Sequence, residues 1–148
     1  GPSKMADNST LREPQTDEEV RRCFPAVLAL RPHLDEDEFV ARVGRQKEQG
    51  YRMLCAVDGD EVVSFAGYRF AEFLAWGRVL YIDDLVTLPS VRGRGYAGML
   101  LDELVARARA AGCDAVHLDS GHQRFDAHRL YLNKGFRITS HHFALELR

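Results

Sequence analysis

No apolar run in these 148 residues reaches the roughly twenty residues that a membrane-spanning helix needs. No charged-then-apolar leader opens the chain either, so no secretory signal is read. Cysteine is scarce. Cys23, Cys55 and Cys113 are odd in number, far apart, and without the close spacing of metal ligands. That excludes a disulfide framework and a structural zinc site, and it fits buried free thiols in a reducing cytoplasm. Charge of one sign is also missing: 20 Lys and Arg stand against 22 Asp and Glu, for a net charge of -2 and a pI near 6.3. Such a balance carries no electrostatic footprint for nucleic acid. Internal repeats and low-complexity tracts are absent too.

The composition, 45% hydrophobic and 28% charged, is that of one soluble globular domain large enough to bury a core. Gly1-Pro2-Ser3-Lys4 ahead of Met5 reads as a protease remnant. Residues 1–9 are therefore taken as this scar plus a flexible N-terminus, with 10–148 as a single domain.

Thr10 to Arg12 give a weak first strand. Thr16 with Glu19 forms a capping-box pattern, and Val20, Cys23, Phe24, Val27 and Leu28 repeat at helical spacing, with Pro25 expected to kink or split the helix. Asp35 with Glu38 opens a second helix, ended by Gly50. Residues 51–57 and 61–70 are strand-like across the turn Asp58-Gly59-Asp60. A looser connection at 71–77 leads to the strongest strand, 78–88, stopped by Pro89. A helix then runs to about Ala111 with Gly112 as its C-terminal cap, followed by a short strand at 114–119 and a helix at 126–134 ending at Gly135. Phe136 to Leu147 supply two final strands. The order predicts an α+β fold: a central mixed, mostly antiparallel sheet flanked by helices.

Arg92-Gly93-Arg94-Gly95-Tyr96-Ala97 lies between a strand and an amphipathic helix. A helix start leaves backbone N–H groups free at the positive end of its dipole, glycine lets that backbone approach an anion, and Arg92 and Arg94 add donors. The turn suits a diphosphate. No Lys-Ser/Thr pair follows the glycines, which excludes a Walker loop, and the third glycine of a dinucleotide fingerprint is out of place. A solvated basic turn capping a helix is the plainer alternative.

The run from Leu85 through Thr87, Pro89 and the turn to Leu101 closely resembles motif A of the GNAT acetyltransferases. Ala127-His128-Arg129-Leu130-Tyr131-Leu132-Asn133-Lys134-Gly135-Phe136 looks like motif B, in the right order and spacing. The resemblance implies a GNAT fold and acetyl-CoA as cosubstrate. It implies that Leu85, Val86 and Thr87 pair with the pantetheine arm, and that Arg92, Gly93, Arg94, Gly95, Tyr96 and Ala97 hold the pyrophosphate. Arg124 and His128 are counted with the cofactor-binding residues. Many members carry asparagine where this chain has Arg124, and the stretch 123–129 is similar to the aminoalkylphosphonate acetyltransferases. The resemblance further implies an acetyltransferase acting on a primary amine by direct attack, and it allows a homodimer.

Acetyl transfer needs a base for the amine, stabilisation of the oxyanion, and an acid for the departing thiolate. Tyr131 matches the motif B tyrosine, whose hydroxyl faces the CoA sulfur in the family. A core aromatic is the alternative reading. Strict alternation puts Asp84 in a row with Leu80, Ile82, Val86 and Leu88, where a carboxylate is costly unless paired or functional. A bulge would instead turn Asp83 toward substrate, and a salt bridge from Asp84 to Arg78 or Arg69 is the structural alternative. Among the histidines, His122 is the candidate for a proton relay. No metal site is expected. The acceptor is expected to be a small soluble amine bearing an anionic group, with Arg69, Arg124 and Arg129 available to hold it. A non-catalytic acyl-CoA-binding regulatory module, a nucleotide-phosphate binder, and a protein lysine or N-terminal acetyltransferase are the rival readings.

Overall fold

The structure, a computed structural model, describes residues 9–121 and 124–148. It forms two compact units, one ending at His117 and the other beginning at Leu118. The elements run in chain order as strand β1 (Ser9–Arg12), helices α1 (Asp17–Arg21), α2 (Phe24–Leu30) and α3 (Glu36–Lys47), and strands β2 (Arg52–Asp58), β3 (Glu61–Phe73) and β4 (Gly77–Thr87). Helix α4 (Tyr96–Ala110), strand β5 (Ala115–Leu118) and helix α5 (Phe125–Asn133) follow.

The helix boundaries are where local chemistry puts them. The Thr16 side chain accepts from the Glu19 amide while the Glu19 carboxylate accepts from the Thr16 amide, closing the capping box of α1. Pro25 sits in the first turn of α2, where a missing N–H costs least, and the run expected to kink or split there is split into two short helices. Asp35 caps α3 by accepting from the Glu38 amide. Gly112, at φ 73°, takes the left-handed position just past α4.

The sheet has the order β1-β2-β3-β4-β5, with antiparallel pairing from β1 through β4. Helix α4 connects β4 to β5, the kind of crossover that parallel neighbours require. One face of β2–β4 presents Tyr51, Met53, Cys55, Val57, Phe65 and Val86, which form one core with Val20, Cys23, Ala26 and Val27 of the α1–α2 segment and Phe39 and Val43 of α3. The other face carries α4, whose Leu100, Leu101 and Leu104 are fully buried.

Two expectations change. The connection at 71–77 is strand at 71–73 and again at 77: Phe73 pairs with Gly77 across a three-residue turn at 74–76. Phe73 continues the ladder where the composition read as loop, and Trp76 in the turn brings its ring to 4.9 Å from that of Phe73. Among the described residues, 136–148 contain no strand, against the two expected. The alternation of Phe143, Leu145 and Leu147 supplies a strand pattern, but a strand needs a paired edge, and these side chains are 91%, 86% and 89% exposed.

Because α4 is held to the sheet by its leucines, Leu104→Ala should destabilise the protein by roughly 2–5 kcal/mol, the usual cost of a buried leucine cavity. Urea unfolding followed by circular dichroism measures it.

Candidate functional site

Strand β4 carries one residue more than its partner. Gly67 stands opposite Asp84 and the next residue, Tyr68, stands opposite Ile82, so Asp83 is the unmatched residue of a β-bulge. Strict alternation therefore fails at this point. Leu80 and Ile82 pair with Phe70 and Tyr68 on the α4 face, while Asp84 and Val86 pair with Gly67 and Phe65 on the face covered by α1–α3. The bulge also lets two consecutive carboxylates reach the same side. Asp83 and Asp84 both line a cavity of about 460 Å³, together with Val27, Arg31, Phe39, Tyr51, Phe65 and Tyr81.

Neither carboxylate is bare. Asp84 is paired with Arg31 rather than with Arg78 or Arg69. Arg31 Nε and Nη2 donate to Asp84 Oδ1 at 3.2 and 3.0 Å, and Nη2 also donates to the Asp83 carbonyl at 3.3 Å. The Tyr51 hydroxyl donates to Asp84 Oδ2 at 2.7 Å. Arg69 grips Asp83 with Nη2 at 2.6 Å and Nε at 3.1 Å. Arg69 is thus committed to Asp83 and is not the free anion-holder expected from the sequence. Burial lifts the Asp83 carboxyl above the usual aspartate range despite the opposing pull of Arg69. Burial, reinforced by the neighbouring Asp84, pushes the Tyr51 phenol well up, so it stays protonated and donates.

Past Asp84, Leu85 and Val86 are buried and Thr87 bonds Ser64 Oγ at 2.9 Å as β4 ends. A 3-10 turn (Pro89–Val91) leads into Arg92. Gly93 and Gly95 take φ values of 83° and 92°, left-handed conformations that strain any side chain. A Cβ on Gly93 would meet nothing within 4 Å, so glycine is there for conformation rather than for space. Gly95 is the N-cap of α4 and brings no side-chain hydrogen bond to it. Arg92 is exposed and Arg94 half-buried, while Tyr96 is buried with its hydroxyl 3.4 Å from Ser9 Oγ. The turn thereby offers helix-start amides with two guanidinium groups nearby, an arrangement suited to an anion.

In the C-terminal unit, Tyr131 is buried on α5 with its ring 6.0 Å from that of Phe136. Burial raises its phenol, partly offset by Arg124. Arg124 is the N-cap residue of α5, and His128 Nε2 donates to the Gly121 carbonyl at 2.7 Å. His122 and Gln123 lie outside the described residues. His142 Nδ1 is 3.7 Å from Asp119 Oδ2, and no group of three metal-ligating side chains occurs among the described residues. Cys23 and Cys55 are buried, and hydrogen bonding to Cys55 together with burial pushes the Cys23 thiol up, away from nucleophile duty.

Sequence reasoning missed Arg31 and Tyr51. Tyr51 was legible in part, because 51, 53 and 55 share the parity of the inward face. Arg31 ends a helix 53 residues before Asp84, and no local pattern marks that partnership.

The sequence matches the acetyltransferase (GNAT) family over residues 14–136. The chain belongs to that family, and with it comes the reaction, acetyl-CoA-dependent N-acetylation. It is 37% identical over 129 residues to the uncharacterized N-acetyltransferase YhdJ of Bacillus subtilis, covering 85% of this chain and 90% of that protein. Over 66 residues it is 36% identical to an aminoalkylphosphonate N-acetyltransferase of Salmonella typhimurium, covering 45% of this chain and 43% of that one. Among solved structures, the aminoglycoside N-acetyltransferase AAC(6')-Iy in complex with CoA superposes with a TM-score of 0.81 at 17% identity, covering 97% of each chain.

A carboxyl raised by folding binds its proton more tightly in the folded state. Asp83's contribution to stability is therefore fully present below the unfolded aspartate pKa and is lost as pH rises through its raised folded value. The stability of wild type relative to Asp83→Asn should fall as pH rises through that window, as measured by urea unfolding at a series of pH values.

Proposed function

We propose that this enzyme acetylates the primary amine of a small molecule that also bears an anionic group, by direct attack on acetyl-CoA in a ternary complex. The observation that carries the reading is the bulge-paired carboxylates Asp83 and Asp84 lining the cavity between β4 and the α2–α3 segment. The amine nitrogen attacks the thioester carbonyl and loses its proton to Asp84, to Asp83, or to water bound by them. The C–S bond breaks, and the thiolate takes a proton. Tyr131 is the candidate donor, because its raised phenol is fully protonated near neutral pH. The pyrophosphate is assigned to the turn 92–97 and the pantetheine arm to Leu85–Thr87. The glycine conformations and the uncapped start of α4 support the first assignment. Buried free Cys23 and Cys55 fit a cytoplasmic enzyme.

Charge supports the acceptor class. Arg31 and Arg69 cancel the formal charge of Asp84 and Asp83, so the cluster offers hydrogen bonds without an excess of negative charge to draw in a polycation. His33 and Arg42 line the same cavity, and Arg42 also bonds Glu38 at 2.8 Å. An anionic group is better matched to this lining than a second ammonium. These residues replace Arg69 as the candidate anion contacts.

Two experiments test the proposal. In a thiol-release assay at equal concentrations, small amino acids and aminophosphonates should outrun polyamines, aminoglycosides and basic peptides. Preference for the cationic acceptors overturns the substrate class. Tyr131→Phe should lower turnover about ten- to a thousandfold with little change in acetyl-CoA affinity, and retention of wild-type turnover where chemistry is rate-limiting removes the acid role.

A further inference from the structure

Tyr51 enters the sheet face through a gap that only glycine leaves open. Gly67 lies on β3 directly opposite Asp84 on one side and Met53 on the other. A Cβ built on Gly67 would fall 1.6 Å from the Tyr51 hydroxyl oxygen and 2.2 Å from Cζ. The hydroxyl end of the ring therefore occupies the space a side chain at Gly67 would fill, and Tyr51 is only 5% exposed. From there the hydroxyl has a carboxylate oxygen 2.7 Å away, on the residue paired with that same glycine. The Arg69 guanidinium stacks over the Tyr51 ring at 5.5 Å while holding Asp83, so the tyrosine is also clamped from above.

We infer that Tyr51 is a positioning residue for acetyl transfer, holding Oδ2 of Asp84 while Arg31 holds Oδ1, and that Gly67 exists at its position to admit the phenol. The inference rests on the reading of Asp84 as a participant in the reaction. A carboxylate has one free torsion at its end and rotates unless both oxygens are tied. Arg31 alone fixes one oxygen, from a side chain that is itself 42% exposed at the end of a helix. The buried phenol supplies the second tie and fixes the direction of the remaining lone pairs into the cavity. Misplacing a reacting group by about 1 Å costs on the order of a hundredfold in rate.

The test uses the intact enzyme with acetyl-CoA and the fastest acceptor of the panel above. Tyr51→Phe removes the hydroxyl and keeps the ring. Its turnover should fall about ten- to a hundredfold while the KM for acetyl-CoA stays within about twofold, and the melting temperature should fall by only a few degrees, as expected for one lost hydrogen bond in a protein that stays folded. Tyr51→Phe combined with Asp84→Asn should be no slower than Asp84→Asn alone, because the tyrosine acts only through that carboxylate. Wild-type turnover in Tyr51→Phe, or losses that multiply in the double variant, overturns the inference. Gly67→Ala should reproduce the kinetic defect by displacing the ring, and adding it to Tyr51→Ala should cost nothing further. A further loss in that pair overturns the role given to Gly67. Should Gly67→Ala fail to fold, the Tyr51→Phe series decides. If Asp84→Asn loses activity and Tyr51→Phe does not, this inference alone fails. If Asp84→Asn keeps wild-type turnover, the underlying reading of Asp84 fails with it.

Discussion

One unmatched residue in β4 sets where its two acids point. Without the bulge at Asp83, consecutive side chains would point to opposite faces of the sheet, and one of the two carboxylates would lie among the leucines of α4. With it, both reach the face that α1–α3 cover, and two arginines and a tyrosine converge on them from separate elements. Burying such acids without partners would be costly. The partners make the cluster tolerable, and they orient it as well.

The same bulge divides the labour of the sheet. On one face, Phe65, Val86, Met53 and Cys55 pack under the helices, and Phe65 joins Val27, Phe39 and Tyr51 in walling the cavity. On the other face, α4 is bolted down by Leu100, Leu101 and Leu104, which fixes where its N-terminus begins. The glycine turn at 92–95 thus springs from the end of the strand that carries Asp83 and Asp84. The paired carboxylates and the glycine turn are joined through about ten residues of continuous chain, an arrangement that would suit the proposed reaction between a bound amine and a bound thioester.

Much of this was legible without coordinates. The Thr16–Glu19 capping box, the Asp35 N-cap, Pro25, the hairpin turn and the apolar stripe of α4 are local signals, and each marks an element close to where it lies. Motifs A and B are also contiguous, so the family, the glycine turn and Tyr131 could be read directly. The apolar alternation at 143–147 is local as well, yet it produced no strand, because pairing is a property of two segments and the pattern describes only one.

By itself, then, the sequence determined the element order, the glycine conformations at the turn, and the identity of the two acids, since these depend on neighbours within a few residues. Tertiary structure alone decided which way those acids point and what holds them. Asp83 is the extra residue only because of how β3 and β4 register. Arg31 and Tyr51 reach Asp84 across 53 and 33 residues of chain. Gly67, unremarkable in the sequence, gains its meaning from a phenol that the fold lays against it. Register and long-range contact arise from packing whole faces together, and no window of local spacing contains that information.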